Sequence, residues 1–496
     1  MTDSALSRRA VLGGLIAAAA AGAASARTPK TGGTRPPNIV FFLGEGLRYD
    51  EFSFCGNPLL KTPNMDRLAR EGALFRNAFV TNALCLPSRA SFLTGAYSHT
   101  TGATTNEDNQ VPARFKLVSD VLREQGYETA FIGKSHVGGA LLDHKWDYYF
   151  GFKGQADYLK PEVVEGSNGQ YGEPKVYREY VDDLLTRKAV EWVKGPREKP
   201  FCLFLWFYAP HAPFYRPRRM LQRFNGDKVT VPANFDDDLK GYPGKARAVA
   251  EADNKVGTSQ VFYDDPRSLE ELMKNHYVGV ESNDEDVGMV LNALGNRLND
   301  TVILLSSDHG FFLGEHTFYD KRLMYEPSIR VPMMIRYPKL IAAGTVRDEM
   351  VLNIDAPVTL LDLVGIKAPD TMQGRSFLPL ARGQALSDWR KDWLYEYYEY
   401  PGFENVRPHR GVRTERYKYI HFFIEPQEYE LYDLQADPEE NHNLYGMPGY
   451  DELTTGLRSR LEELRRETDD RYVYHPSRVL RLKAVPEPAQ ESGGRP

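Results

Sequence analysis

The chain has 496 residues, 42% of them hydrophobic and 26% charged, the make-up of a soluble globular protein long enough for two or three domains. Its 68 acidic and 62 basic residues leave a net charge of −6, so no overall field draws it to nucleic acid or to an anionic lipid surface. Local basic clusters could still bind a small anion.

At the N-terminus, Arg8-Arg9 precedes an apolar run from Ala10 to about Ala23 and a small-residue site, Ala24-Ser25-Ala26. This is the layout of an export signal, and the paired arginines point to the twin-arginine machinery as a partner. Cleavage near Ala26 would leave a periplasmic or extracellular protein. Neither this run nor any later one is long enough to span a bilayer, so no stable membrane anchor is expected. Cys55, Cys85 and Cys202 are an odd count, and a chain exported folded would fold in a reducing cytosol. A disulfide framework is therefore not expected.

After a Pro/Gly/Thr-rich linker at 27–37, "NIVFFLG" (Asn38–Gly44) reads as a buried strand. Similar apolar runs follow at Thr129–Gly133, Phe201–Tyr208, Thr301–Ser307 and Val331–Pro338. Helical patterns lie between them, over Lys116–Gln125, Glu179–Lys194 and Leu269–Leu294. The alternation predicts an α/β domain over 38–374, with a large, mostly parallel central sheet flanked by helices. Beyond Gly374 the Tyr-rich segments "WLYEYYEY", "RGVRTERYKYIHFF" and "EYELYDL" read as antiparallel strands, with a charged amphipathic helix at Asp451–Thr468. These predict a smaller C-terminal α+β domain over 375–480, followed by a loose tail at 481–496.

Ligands of open parallel sheets bind beyond the carboxyl ends of the strands. There the chain places Glu45, then Lys134 and His136 in "GKSH", His211 in "PHAPF", Asp308 and His309 in "SDHG", and Lys321 in "GEHTFYDK". Glu45, Asp308 and His309 could ligate a divalent cation. Lys134, Lys321, His136 and His211 suit a tetrahedral oxyanion, and Arg89 could join either group as a fork donor. Together they describe hydrolysis of a sulfate or phosphate ester. His316 and Cys202 read as packing residues.

The stretch "CLPSRASFLTG", Cys85–Gly95, closely resembles the signature of the type I sulfatases, in the alkaline phosphatase-like superfamily. The similarity extends through "TPNMDRLAREGALFRNAFV", "GYETAFIGKSHVG", "HAPF", "SSDHGFFLGEHTFYDKRLMYEPSIRVPMMIRYP", "MQGRSFLPL" and "ELYDLQADPEENHNLY". The resemblance implies that a maturation enzyme converts Cys85 to Cα-formylglycine, whose hydrate attacks sulfur. It further implies Ca2+ held by Glu45, Asp308, His309 and the side chain at 85, with Arg89 orienting that side chain. Lys134 and Lys321 would neutralise sulfate oxygens, His211 would protonate the leaving alcohol, and His136 would act as base when sulfate is released.

The chain departs from the family pattern at Gly46, where a second aspartate is usual, and at Ser135, where a tryptophan is usual. One carboxylate fewer should weaken metal binding and opens the site to another divalent ion. The segments around Cys85, "WDYYFGFKGQADYLKPE" and the Tyr-rich C-terminal strands look similar to N-acetylglucosamine-6-sulfatase-like members. Tyr398, Glu399, His409 and Arg410 are the candidate sugar contacts. The expected substrate is a 6-O-sulfated sugar of glycosaminoglycan or mucin type. The alternatives are a phosphonate or phosphate ester hydrolase with the same cradle, and a metal-impaired homologue that binds sulfated glycans.

Overall fold

In the computed structural model the described residues are 35–107, 111–137, 141–152, 154–240, 244–256, 269–402 and 404–475. The expected signal at 1–26, all of the linker before Arg35, and the tail at 481–496 lie outside them.

Five strands form the heart of the molecule: β1 (Asn38–Gly44), β3 (Glu128–Lys134), β4 (Tyr148–Phe152), β8 (Phe201–Trp206) and β9 (Thr301–Ser307). They lie in the order β9-β1-β8-β3-β4, all parallel. Alternate residues of each strand enter separate cores. Ile39, Phe41 and Leu43 pack on one face with Phe204, Trp206 and Leu304. Val40 and Phe42 pack on the other with Leu203, Leu205 and Leu305. Burial on both faces is why these strands read as continuous apolar runs.

The sheet extends outward into a mixed, twelve-stranded array. On one side β12 (Arg330–Arg336) runs antiparallel to both β9 and β2 (Ala73–Phe79), and β13 (Thr345–Arg347) and β14 (Val351–Leu352) then pair with β2. On the other, β5 (Glu162–Ser167) pairs with β4, β6 (Gln170–Tyr171) and β7 (Lys175–Val176). A two-stranded ribbon, β10 (Phe312–Leu313) with β11 (Tyr319–Asp320), projects after β9.

The Pro63–Glu71, Val181–Lys194 and Leu269–Leu294 helices bury their apolar positions against one face. The Cys85–Thr94, Val118–Glu124 and Asp355–Leu363 helices cover the other. The Val118 helix starts two residues after the expected Lys116 because Asp120 accepts the Leu117 N–H at 2.9 Å and fixes the first turn there.

The C-terminal region is a four-stranded antiparallel sheet in chain order, β15 (Asp392–Tyr397), β16 (His409–Thr414), β17 (Tyr417–Phe422) and β18 (Glu428–Asp433). The Asp451–Glu467 helix buries Leu457, Leu461 and Leu464, the i, i+4, i+7 stripe of an amphipathic helix. Trp393 packs on Phe79 with ring centroids 5.1 Å apart, and the Glu396 N–H donates to the Thr81 carbonyl at 2.9 Å. The described residues from Pro36 onward thus belong to one compact unit. No helix among the described residues is long and apolar enough to cross a membrane.

Candidate active site

Register brings the strand ends together. Gly44 pairs with Ser307, Leu43 with Trp206, and Gly133 also with Trp206. The residues that follow, Glu45, Asp308 and Lys134, therefore emerge side by side at one edge. Opposite them begins the Cys85–Thr94 helix, every residue of which is buried. Its positive N-terminal end faces the strand ends, and Asn106 Oδ1 accepts its Leu86 N–H at 3.0 Å.

Glu45, Cys85, Asp308 and His309 present four potential ligand atoms within 4.8 Å of one another, all buried. Cys85 Sγ lies 3.1 Å from Glu45 Oε1 and 3.4 Å from His309 Nε2. His309 Nε2 lies 3.2 Å from Glu45 Oε1 and 3.5 Å from Asp308 Oδ1, while His309 Nδ1 donates to the Gly310 carbonyl at 2.7 Å. Arg89 ties the cluster together, with Nε on Asp308 Oδ2 at 2.8 Å, Nη2 on Glu45 Oε2 at 2.7 Å and Nη1 on the Lys134 carbonyl at 2.6 Å.

Charge in this cluster is unevenly shared. Burial works against ionised Glu45, but Lys134 and Arg89 outweigh it and hold the carboxyl well below its usual range. Burial and the Glu45 charge push Asp308 up to about 7. Burial opposes the His309 charge, yet Asp308 lifts the ring to about 9. Asp308 and His309 thus favour their protons beside the ionised Glu45, in a donor set that a divalent cation would relieve by displacing those protons. The residues present fit such an ion.

Around this centre stand the groups expected to face an oxyanion. Lys134 Nζ contacts Glu45 Oε2 at 2.8 Å and Gln155 Oε1 at 3.1 Å, and lies 5.4 Å from the Tyr208 ring centroid. Lys321 is buried and paired with Asp320 Oδ1 at 2.9 Å; Asp320 and the charges of Cys85 and Glu45 raise it above its ordinary value despite burial. His211 Nδ1 donates to the Ala212 carbonyl, which leaves Nε2 turned to the centre, 3.8 Å from Glu45 Oε1. His136 stands close enough to Cys85 to feel its charge, and burial lowers both histidines. Burial and Glu45 oppose ionisation of Cys85, but Lys134, Lys321 and His309 together hold the thiol well below its ordinary value.

Gly46 adopts φ +72°, and its N–H donates to Asp308 Oδ1 at 3.1 Å. A Cβ there would lie 3.3 Å from the Phe311 ring and 3.6 Å from His309 Cε1. The loop thus faces the acidic cluster, with main chain where a second carboxylate is usual. Ser135 is buried and donates its hydroxyl to the Phe152 carbonyl at 3.3 Å.

The four candidate sugar contacts are largely engaged inside the protein. Tyr398 donates to Glu396 Oε2 at 2.8 Å and packs on Tyr472, with ring centroids 4.5 Å apart. Arg410 Nε pairs with Asp470 Oδ2 at 3.0 Å over the Phe423 ring. His409 is enclosed by Tyr395, Tyr397 and Phe422 and donates from Nδ1 to the Arg407 carbonyl at 2.8 Å; burial lowers it to about 4. Glu399 accepts the Asn106 N–H at 2.8 Å and feels the Cys85 charge, which places it nearest the centre of the four. His316 is buried between Asp237 and the Glu439 carbonyl, and Cys202 lies in the core. Gln155, Asn106 and Tyr208 also stand at the site, and as single polar or aromatic loop residues they carry no spacing pattern in the sequence.

The Sulfatase family model matches residues 37–366, and that of N-sulphoglucosamine sulphohydrolase, C-terminal, matches 314–467. An N-acetylglucosamine-6-O-sulfatase of Bacteroides thetaiotaomicron is 33% identical over 92% of this chain and 91% of its own length. A multifunctional alkaline phosphatase superfamily protein of Trinickia caryophylli is 29% identical over 84% of this chain and 92% of its own. Among solved structures, a protein in complex with its substrate D-glucosamine-2-N,6-O-disulfate superposes with a TM-score of 0.81. It is 32% identical and covers 88% of this chain and 99% of its own.

Proposed function

The chain belongs to the sulfatase family and is a sulfuric ester hydrolase, and from that premise we propose that it removes a 6-O-sulfate from a glucosamine-type carbohydrate after export from the cytoplasm. The sugar is supported by the 33% identity to an N-acetylglucosamine-6-O-sulfatase and by the likeness to a protein solved with a glucosamine disulfate. Export is supported by Arg8-Arg9 and the apolar run behind it.

The observation that carries the reaction is the place of Cys85 Sγ, 3.1 Å from Glu45 Oε1 and 3.4 Å from His309 Nε2 at the head of a buried helix. Sγ stands where the oxygens of a formylglycine hydrate would lie. That hydrate would supply the attacking oxygen and a route for expelling sulfate, and a divalent ion such as Ca2+, held by Glu45, Asp308, His309 and the same side chain, would favour its ionised form.

The remaining work falls to the chain's own side chains. Arg89 fixes Glu45 against Asp308, and Lys134 and Lys321 offer positive charge to the sulfate oxygens before reaction begins. His211 Nε2, its ring oriented through Nδ1, holds the proton for the leaving alcohol, favoured there by the bound anion. His136, beside Cys85, accepts a proton as sulfate is released.

Sulfate release from D-glucosamine 6-O-sulfate by protein co-produced with a maturation enzyme tests this reading. Turnover is expected, falling by about 10⁴-fold in Cys85→Ala. Absence of release from sugar and aryl sulfates alike by metal-loaded protein would contradict it and favour the glycan-binding alternative. The 29% identity to a multifunctional alkaline phosphatase superfamily protein favours one second reading, a phosphonate or phosphate ester hydrolase with the same cradle. Matched aryl sulfate and aryl phosphonate esters, compared by kcat/KM, separate the two.

A further inference from the structure

The segment that carries His211 has few regular hydrogen bonds of its own. β8 ends at Trp206, and the Phe207 N–H still donates to the Leu43 carbonyl of β1 at 2.9 Å before the chain leaves the ladder. Two buried side chains from different helices hold them. Asp182, in the first turn of the Val181–Lys194 helix, accepts the Tyr208 N–H at Oδ1 (2.8 Å) and the Ala209 N–H at Oδ2 (2.7 Å). Asn283, on the Leu269–Leu294 helix, donates from Nδ2 to the Ala209 carbonyl at 2.6 Å. Both residues are fully enclosed. One turn earlier on that helix, Gly279 admits Pro210, since a Cβ there would meet the proline Cβ at 2.6 Å.

The clamp passes directly to the histidine. The His211 N–H donates to the Tyr208 carbonyl at 2.9 Å, and the Tyr208 ring stacks on the imidazole with centroids 5.2 Å apart. The Tyr158 hydroxyl donates to the His211 carbonyl. Moving Tyr208 or Ala209 therefore moves His211 Nε2 relative to Cys85, although neither Asp182 nor Asn283 reaches the reacting atoms.

We propose that Asp182 and Asn283 are positioning residues for leaving-group protonation, holding the Tyr208–Ala209 segment so that His211 Nε2 meets the departing alcohol. The proposal rests on the assignment of His211 as the acid. A displacement of about 1 Å at a reacting group can reduce rate by about 10²-fold, and a positioned acid contributes roughly 10²–10⁴-fold. Its loss falls on leaving groups that need a proton. A sugar alkoxide needs one, whereas 4-nitrophenolate leaves without help.

The test compares kcat for D-glucosamine 6-O-sulfate and 4-nitrophenyl sulfate in the wild type, Asp182→Asn, Asn283→Ala and His211→Ala. If the sugar sulfate is not turned over, an unactivated alkyl sulfate replaces it. Asparagine at 182 places an NH2 against a backbone donor and frees one of the two N–H groups. Each of the pair variants is expected to lose about 10²-fold with the unactivated ester and less than about threefold with the aryl ester. Equal losses on both esters, or no loss, would overturn the proposal. If Asp182→Asn does not fold, Asn283→Ala removes a single bond from the same segment and carries the test. His211→Ala showing the split while the pair variants do not refutes the positioning alone. His211→Ala without the split refutes the acid assignment and the proposal with it.

Discussion

Glu45 divides its two oxygens between two tasks. Oε2 is taken by Arg89 and Lys134, while Oε1 faces Cys85 and His309. Replacing Lys134 with alanine removes one claim on Oε2 and one positive charge from the oxyanion side. Lys134→Ala should lower kcat/KM by roughly 10²–10³-fold, with metal affinity unchanged or tighter by calorimetric titration. Loss of metal binding would contradict this division. At Gly46 the left-handed backbone makes any side chain strained by about 1–2 kcal/mol, less for aspartate than for most residues. Gly46→Asp adds a carboxylate beside His309, so the divalent Kd should fall while the metal-free protein melts slightly lower. An unchanged Kd would remove that loop from the metal shell. The identities at the centre were legible because strand ends concentrate chemistry. The division of Glu45's two oxygens and the φ of Gly46 were not, being set by tertiary contacts.

The small sheet illustrates how elements were easier to read than the roles of their residues. Its four strands and helix follow from alternation and an apolar stripe. The same aromatic residues that suggested a sugar platform are largely its packing, as the enclosure of His409 shows. β2 carries no clear strand signal because its seven residues mix exposed and buried positions, and the short edge strands carry no pattern at all. Enclosure of His409 also couples this element to pH. Its folded value of about 4 lies below the ordinary 6.5 or so of an unfolded chain. The stability it contributes is thus present above about pH 6.5 and is lost as pH falls through about 4, approaching 3 kcal/mol. Urea unfolding at pH 7 and pH 4.5 should show a smaller difference in His409→Phe than in the wild type. An identical pH response in both would show that the ring is not held neutral by burial.

Across the whole molecule, the α/β body and the small sheet share one of the two cores, with Trp393, Tyr395 and Leu431 in the same cluster as Phe79, Leu84 and Phe92. The Tyr395 hydroxyl, 3.2 Å from the Ala83 nitrogen, also donates to the Arg322 carbonyl at 2.6 Å, so the sheet braces both the Cys85 helix and the Lys321 segment. Shared burial of this kind couples the parts, and far-UV circular dichroism and tryptophan fluorescence should report one coincident thermal transition. Two separated transitions would show that the small sheet folds apart from the body. Mass spectrometry of the peptide holding Cys85, taken from protein that releases sulfate, reads the nucleophile directly. An aldehyde, or its hydrate, is expected in place of the CH2–SH group. An intact thiol in an active preparation would rule out the formylglycine route.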